Sequence, residues 1–159
     1  MEATKFLEAQ HRQVEQLFAM FEKAPAADKR RIFDEIADAL AIHATIEEKI
    51  FYPAVKMAKT EDQLMEAVEE HLSAKRVIAD LLGMSPSQEN FDAKVTVLKE
   101  LIAHHVREEE TELFPTVRRA LGAELEDVGA QLEAMAAELE AKGNARADIP
   151  DETAEAASI

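Results

Sequence analysis

Four stretches of this chain repeat apolar residues every three or four positions, and each carries one histidine in the middle of its apolar stripe. An imidazole on the core-facing side of a helix loses its water on folding and has to find a partner inside. That requirement, imposed four times, restricts the fold more than any other feature of the sequence. The first stretch, from about Thr4 to Ala24, aligns Leu7, His11, Val14, Phe18 and Phe21, and Pro25 follows it. The second opens near Asp28 and aligns Ile32, Ile36, Leu40, His43, Glu47 and Ile50, with Pro53 marking a kink or break. The third starts at Thr60, where Thr-Glu-Asp-Gln fits a capping box, and carries Leu64, Val68, His71, Ile78 and Leu82 up to Gly83, which suits a left-handed cap. The fourth runs from Ser87 or Asn90 to Phe114 through Val95, Leu98, Leu101, Ile102, His105, Glu109 and Leu113, and Pro115 interrupts it.

With only 4 glycines and 5 prolines in 159 residues, turn-dense β architectures are poorly supplied. Four long amphipathic segments with short connections predict an all-α fold, an up-down-up-down antiparallel four-helix bundle. A fifth segment, about Ala123 to Lys142, carries Leu125, Val128, Leu132, Met135 and Leu139 and adds a C-terminal helix. Residues 1–143 are thus expected to form the bundle. Residues 144–159, acidic and without periodicity, are expected to be a loose tail.

The formal charge of −15 repels phosphate backbones and anionic lipid, so neither nucleic acid nor a membrane surface is an expected partner. No apolar run reaches the length of a membrane span, and the first residues do not read as a secretory signal. The expected location is cytoplasmic. Having no cysteine, the chain has no thiolate zinc site and no cysteine nucleophile.

Two carboxylates join the histidines. Glu47 follows His43 by four residues and Glu109 follows His105 by four, which places each pair on one helical face. One such pair in a Glu-rich helical protein is an ordinary surface feature. Here the whole block repeats: His43-Ala-Thr-Ile-Glu47-Glu48-Lys-Ile-Phe51-Tyr52-Pro53 aligns without gaps on His105-Val-Arg-Glu-Glu109-Glu110-Thr-Glu-Leu113-Phe114-Pro115. His11 precedes its block by 32 residues and His71 by 34, so two similar hairpins each supply two histidines and a glutamate. The alignment selects His105 over its neighbour His104, which falls in a peripheral register with Glu100 and Glu108. Glu48 and Glu110 lie about 100° round the helix from the inward glutamates and read as solvated or outer residues.

A set of His11, His43, Glu47, His71, His105 and Glu109 suits iron, manganese or zinc, and two bridging carboxylates suit a pair of ions. Two octahedral ions held by four histidines, two bridging glutamates and one bridging oxo or hydroxo group keep one open position each. Dioxygen, nitric oxide or peroxide could bind there. These residues, with Glu-Glu and a nearby proline in both halves, resemble the hemerythrin-like (HHE cation-binding) domain over about residues 4–120. The resemblance implies a four-helix bundle around an oxo- or hydroxo-bridged pair of Fe ions with these six residues as ligands, Mn or Zn being less expected. It also implies that Ala67 stands where oxygen-carrying members have a further histidine, which weighs against reversible oxygen carriage. Three functions are compatible with this reading: a di-iron protein that binds or senses O2, NO or peroxide; a di-iron peroxidase or catalase-like enzyme; or a metal-free acidic interaction bundle.

Overall fold

A computed structural model describes all 159 residues. The four long helices are α1 (Ala3–Lys23), α2 (Lys29–Ile46), α4 (Glu61–Leu82) and α5 (Phe91–Glu108). Two short helices, α3 (Tyr52–Val55) and α6 (Phe114–Leu121), prolong α2 and α5, and α7 (Glu124–Lys142) follows. The helices α1 and α2 pack as one hairpin and α4 and α5 as another, and α7 lies against α1 and α2. The result is the expected all-α bundle with an added C-terminal helix. No helix is long and apolar enough to cross a membrane.

The apolar stripes build two clusters of near-equal size, 16 and 15 residues, instead of one continuous core. Along α1 the chain passes from Leu7 in one cluster through His11 to Val14 in the other. On α4 the same passage runs from Val68 through His71 to Ala74. The polar layer therefore sits at mid-bundle with apolar packing on both sides. Each fully buried Leu or Phe stabilises by roughly 1.5–3 kcal/mol, and these contributions offset the cost of burying the polar layer.

Both prolines act through a widened turn. Pro53 and Pro115 have no N–H to bond the carbonyl four residues back, and their rings crowd it. The helix answers with π-helical turns at Glu47–Phe51 and Glu109–Leu113, in which Tyr52 N–H reaches Glu47 O and Phe114 N–H reaches Glu109 O. The chain then continues as helix. In both halves the inward glutamate is the first residue of the π turn.

Three local expectations are corrected. The Thr60 side chain makes no helix cap; its hydroxyl donates to Val55 O at 2.8 Å and accepts from Met57 N–H at 3.0 Å, tying α3 to α4. Gly83 has φ −88°, so α4 ends without a left-handed residue. Residues 144–159, expected as a loose tail, include a 3₁₀ segment at Ala145–Glu152 that lies on α2 and α4. Ile149 is buried in the core, and Arg146 pairs with Asp38 at 2.8 Å. One apolar anchor and a few charge pairs hold this strap, and neither produces periodicity. Gly129 explains how α7 comes so close to α1: a Cβ there would stand 1.9 Å from Met1 O.

Candidate metal centre

The wide turns and the apolar packing above and below bring His11, His43, Glu47, His71, His105 and Glu109 together, none more than 7% exposed. Nε2 of His43 and of His71 lie 2.9 and 3.2 Å from Glu47 Oε1. Nε2 of His11 and of His105 lie 3.3 and 3.4 Å from Glu109 Oε1. Each carboxylate thus faces imidazoles from both hairpins. Two compact donor groups result, His11 with His43 and Glu109, and His71 with His105 and Glu47. Each group takes its histidines from one hairpin and its glutamate from the other.

The outer nitrogen of every histidine has its own acceptor. Nδ1 of His11 meets Glu110 Oε2 at 2.6 Å, and Nδ1 of His71 meets Glu48 Oε2 at 2.7 Å. Nδ1 of His43 meets Gln10 Oε1 at 2.7 Å, and Nδ1 of His105 meets Glu70 Oε1 at 2.8 Å. These oxygens only accept, so Nδ1 donates and the neutral ring keeps its lone pair on Nε2, facing inward. Inside, His11 Nε2, His43 Nε2, both Glu47 oxygens and Glu109 Oε1 are buried without a hydrogen-bond partner. Five electron-pair donors aimed at one space, with no hydrogen among them, match what a cation needs. The residues fit the metal pair that the donor set implies.

The local field is strong. Burial alone would raise the Glu47 carboxyl, but His43, His105 and His71 outweigh it and hold Glu47 well below the usual carboxylate range. Burial alone would lower His105; Glu109, Glu47 and Glu70 outweigh it and raise this imidazole well above its ordinary value.

His104 has 56% of its side chain exposed and faces Glu70 and Glu108, against 6% for His105, as the register assignment requires. Glu48 and Glu110 are outer partners of His71 and His11. The wide π turn admits Glu48 to the interior at 9% exposure, although α-helical geometry would turn it away. Sequence reasoning missed Gln10, Glu70 and Tyr52. The repeat contained a signal for the first two, since each immediately precedes the first histidine of its half. Tyr52 is fully buried, and its hydroxyl donates to Glu109 Oε2 at 2.8 Å while standing 3.3 Å from His71 Nε2. In the alignment it faces Phe114, so it reads as one more aromatic core residue.

A bundle whose mid-layer carries two converging sets of histidine and carboxylate defines a helical cation-binding protein. The Hemerythrin HHE cation binding domain family matches residues 2–117, and the chain belongs to that family. A crystal structure of a Hemerythrin HHE cation binding domain-containing protein from Mycobacterium kansasii superposes with TM-score 0.82 at 23% identity, covering 95% of this chain and 98% of that one. A protein of Nostoc sp. named DNA nickase is 31% identical over 115 residues, which is 72% of this chain and 33% of that protein. The chain therefore spans about a third of that relative's length.

Proposed function

We propose that the chain is a non-haem di-iron protein that binds or senses O2 or a related small ligand, NO or peroxide. The observation that carries this reading is the set of five buried, unpartnered donor atoms. His11, His43 and Glu109 would hold one ion and His71, His105 and Glu47 the other, with each glutamate in reach of both. When bound, an oxo- or hydroxo-bridged iron pair would supply redox chemistry toward such a ligand.

The chain's own residues shape access and protons. A cavity of about 230 Å³ reaches all four ring systems and is lined by Val14, Leu40, Ile78 and Ile102, with Ile149 of the strap. The apolar part of this wall favours a small, weakly hydrated ligand, while Lys49, Lys75, Asp148 and Glu152 stand on the same lining. The four Nδ1 acceptors fix the ring orientations. Tyr52 holds a proton beside Glu109, because burial first and then the Glu109 and Glu47 charges push its hydroxyl well above its usual range. A hydroxyl that stays protonated beside Glu109 and His71 offers a hydrogen-bond donor at the centre, which favours a second reading, peroxide decomposition.

DNA cleavage stays with the Nostoc protein, because a chain of net charge −15 repels a phosphate backbone. Metal analysis and an absorption spectrum of protein purified without chelator test the proposal. Two irons per chain and an oxo-to-iron charge-transfer band near the ultraviolet edge are expected. A chain that takes up no iron from ferrous solution would sink the reading. Rapid peroxide turnover by the loaded protein would select the enzyme over the sensor.

A further inference from the structure

The cavity that opens onto the four imidazoles is larger than any of the small ligands proposed for the centre. Its volume is about 230 Å³. A water's share of liquid volume is about 30 Å³, and an apolar cavity of roughly 150 Å³ takes up benzene. Hydrogen peroxide, dioxygen or nitric oxide would leave most of this space to water. Leu40, Ala74, Ile78 and Ile102 line its helical side, and Ala145 and Ile149 its outer side. The chain after α7 builds that outer side. Gly143 and Asn144 take positive φ, 71° and 58°, a conformation open to glycine and tolerated by asparagine, and the backbone turns onto α2 and α4. Ile149, 2% exposed, then supplies a wall that the four long helices do not.

The charged residues on the lining do not ask for an ion. Lys75, 7% exposed, lies 3.0 Å from Glu48 and 3.0 Å from Glu152, so the buried lysine is already paired twice. The exposed Lys49 and Asp148 carry opposite signs. A charged ligand would give up its water here and find no free buried partner. At the inner end the requirement reverses. Nε2 of His11 and of His43, two rings on the lining, is buried without a hydrogen-bond partner, so the inner end of a ligand should be polar. Of the three small ligands, dioxygen and nitric oxide cannot carry an organic body, and peroxide can.

We propose that the cavity takes an organic hydroperoxide, an uncharged apolar body of about ten non-hydrogen atoms whose –OOH end points at the donors. The choice of peroxide and its orientation rest on the di-metal reading; the seat for the apolar body does not.

Calorimetric titration of the metal-free and the Zn²⁺-loaded chain with 2-phenyl-2-propanol tests the seat. This alcohol has the body of cumene hydroperoxide and no peroxide bond to react. One equivalent should bind to both forms, and the charged benzoate should bind at least roughly tenfold more weakly. Ala74→Leu on α4 and Ala145→Leu on the strap narrow the cavity from two sides, and each should weaken the alcohol roughly tenfold or more. Either variant decides the matter if the other fails to fold, which circular dichroism and iron content report. In the iron-loaded chain, cumene hydroperoxide should perturb the charge-transfer band at a roughly tenfold lower concentration than hydrogen peroxide. Both Leu variants should remove that advantage and keep the parent's response to hydrogen peroxide. No alcohol bound by the parent, or unchanged binding in a folded Leu variant, would overturn the seat. Alcohol bound without any preference for the organic peroxide would overturn the choice of ligand. Alcohol bound by a chain that takes up no iron would remove the di-metal reading and leave the seat standing.

Discussion

The two hairpins carry the same residues in the same register, yet they surround them differently. In the first, His43 leans on the neutral carbonyl of Gln10; in the second, its counterpart His105 leans on the carboxylate of Glu70. The first hairpin's Glu48 is bound by the buried Lys75, whereas the second's Glu110 is bound by the exposed Arg12. Tyr52 sends its hydroxyl across to Glu109, while its repeat partner Phe114 stacks on His11 with its plane tilted by 4°. The inward donor positions are thus duplicated and their electrostatics are not. The His71–His105 end has carboxylates behind both rings and the His11–His43 end behind only one. On the proposed two-ion reading, the two ends should hold their ions unequally, the second more tightly.

The largest expected effect tests whether the ends are joined. Glu47 and Glu109 each face imidazoles of both hairpins, so Glu47→Ala or Glu109→Ala should leave less than one iron per chain by elemental analysis. His11→Ala should leave about one, at the His71–His105 end. Equal loss in all three would mean that the ends are not separable units.

Metal removal should come next, with opposite pH slopes in the two forms. Burial alone would lower His11, His71 and His105, but the surrounding carboxylates outweigh it and raise all three above the ordinary imidazole value. In the metal-free chain their stabilising contribution is complete below the unfolded value of roughly 6.5 and is lost as pH rises through the raised folded values. In the loaded chain the rings have to be neutral, so affinity and melting temperature should fall as pH drops. Melting curves across pH, with and without iron, check both signs; parallel slopes would contradict the model.

The asymmetry itself is measured by replacing the outer partners. Glu70→Ala should weaken its end by about 10–100-fold, and Gln10→Ala should cost its own end less. Stepwise iron removal by a chelator reads the difference, and equal losses would mean that the charge on Glu70 is immaterial. Tyr52→Phe makes the two halves aromatic alike and strips the donor from Glu109 Oε2. About 1–3 kcal/mol of stability should be lost from the metal-free chain in urea unfolding. Smallest of all, Arg12→Ala at the exposed edge should cost under about 1 kcal/mol in the same assay.

Periodicity and the internal repeat were enough to identify the bundle, the six convergent residues and the choice of His105 over His104, because each of these depends on which face of one helix a residue occupies. For Glu48 and Glu110 that logic stopped at solvated or outer places, and the structure puts them behind His71 and His11. Tyr52 escaped because an aromatic ring in a core stripe does not announce where its hydroxyl will point.

What the sequence by itself determined is therefore local: apolar stripes, ligand spacing, and a duplication that places equivalent residues at equivalent depths. Only the tertiary structure decided which hairpin supports which ring. Glu110 reaches back to His11 and Glu48 reaches forward to His71, contacts that span 99 and 23 residues. It also decided that residues 145–152 close over α2 and α4. Contacts between helices depend on how each helix is rotated and how closely it is packed. Those quantities come from the whole core settling at once, and no single helical repeat encodes them.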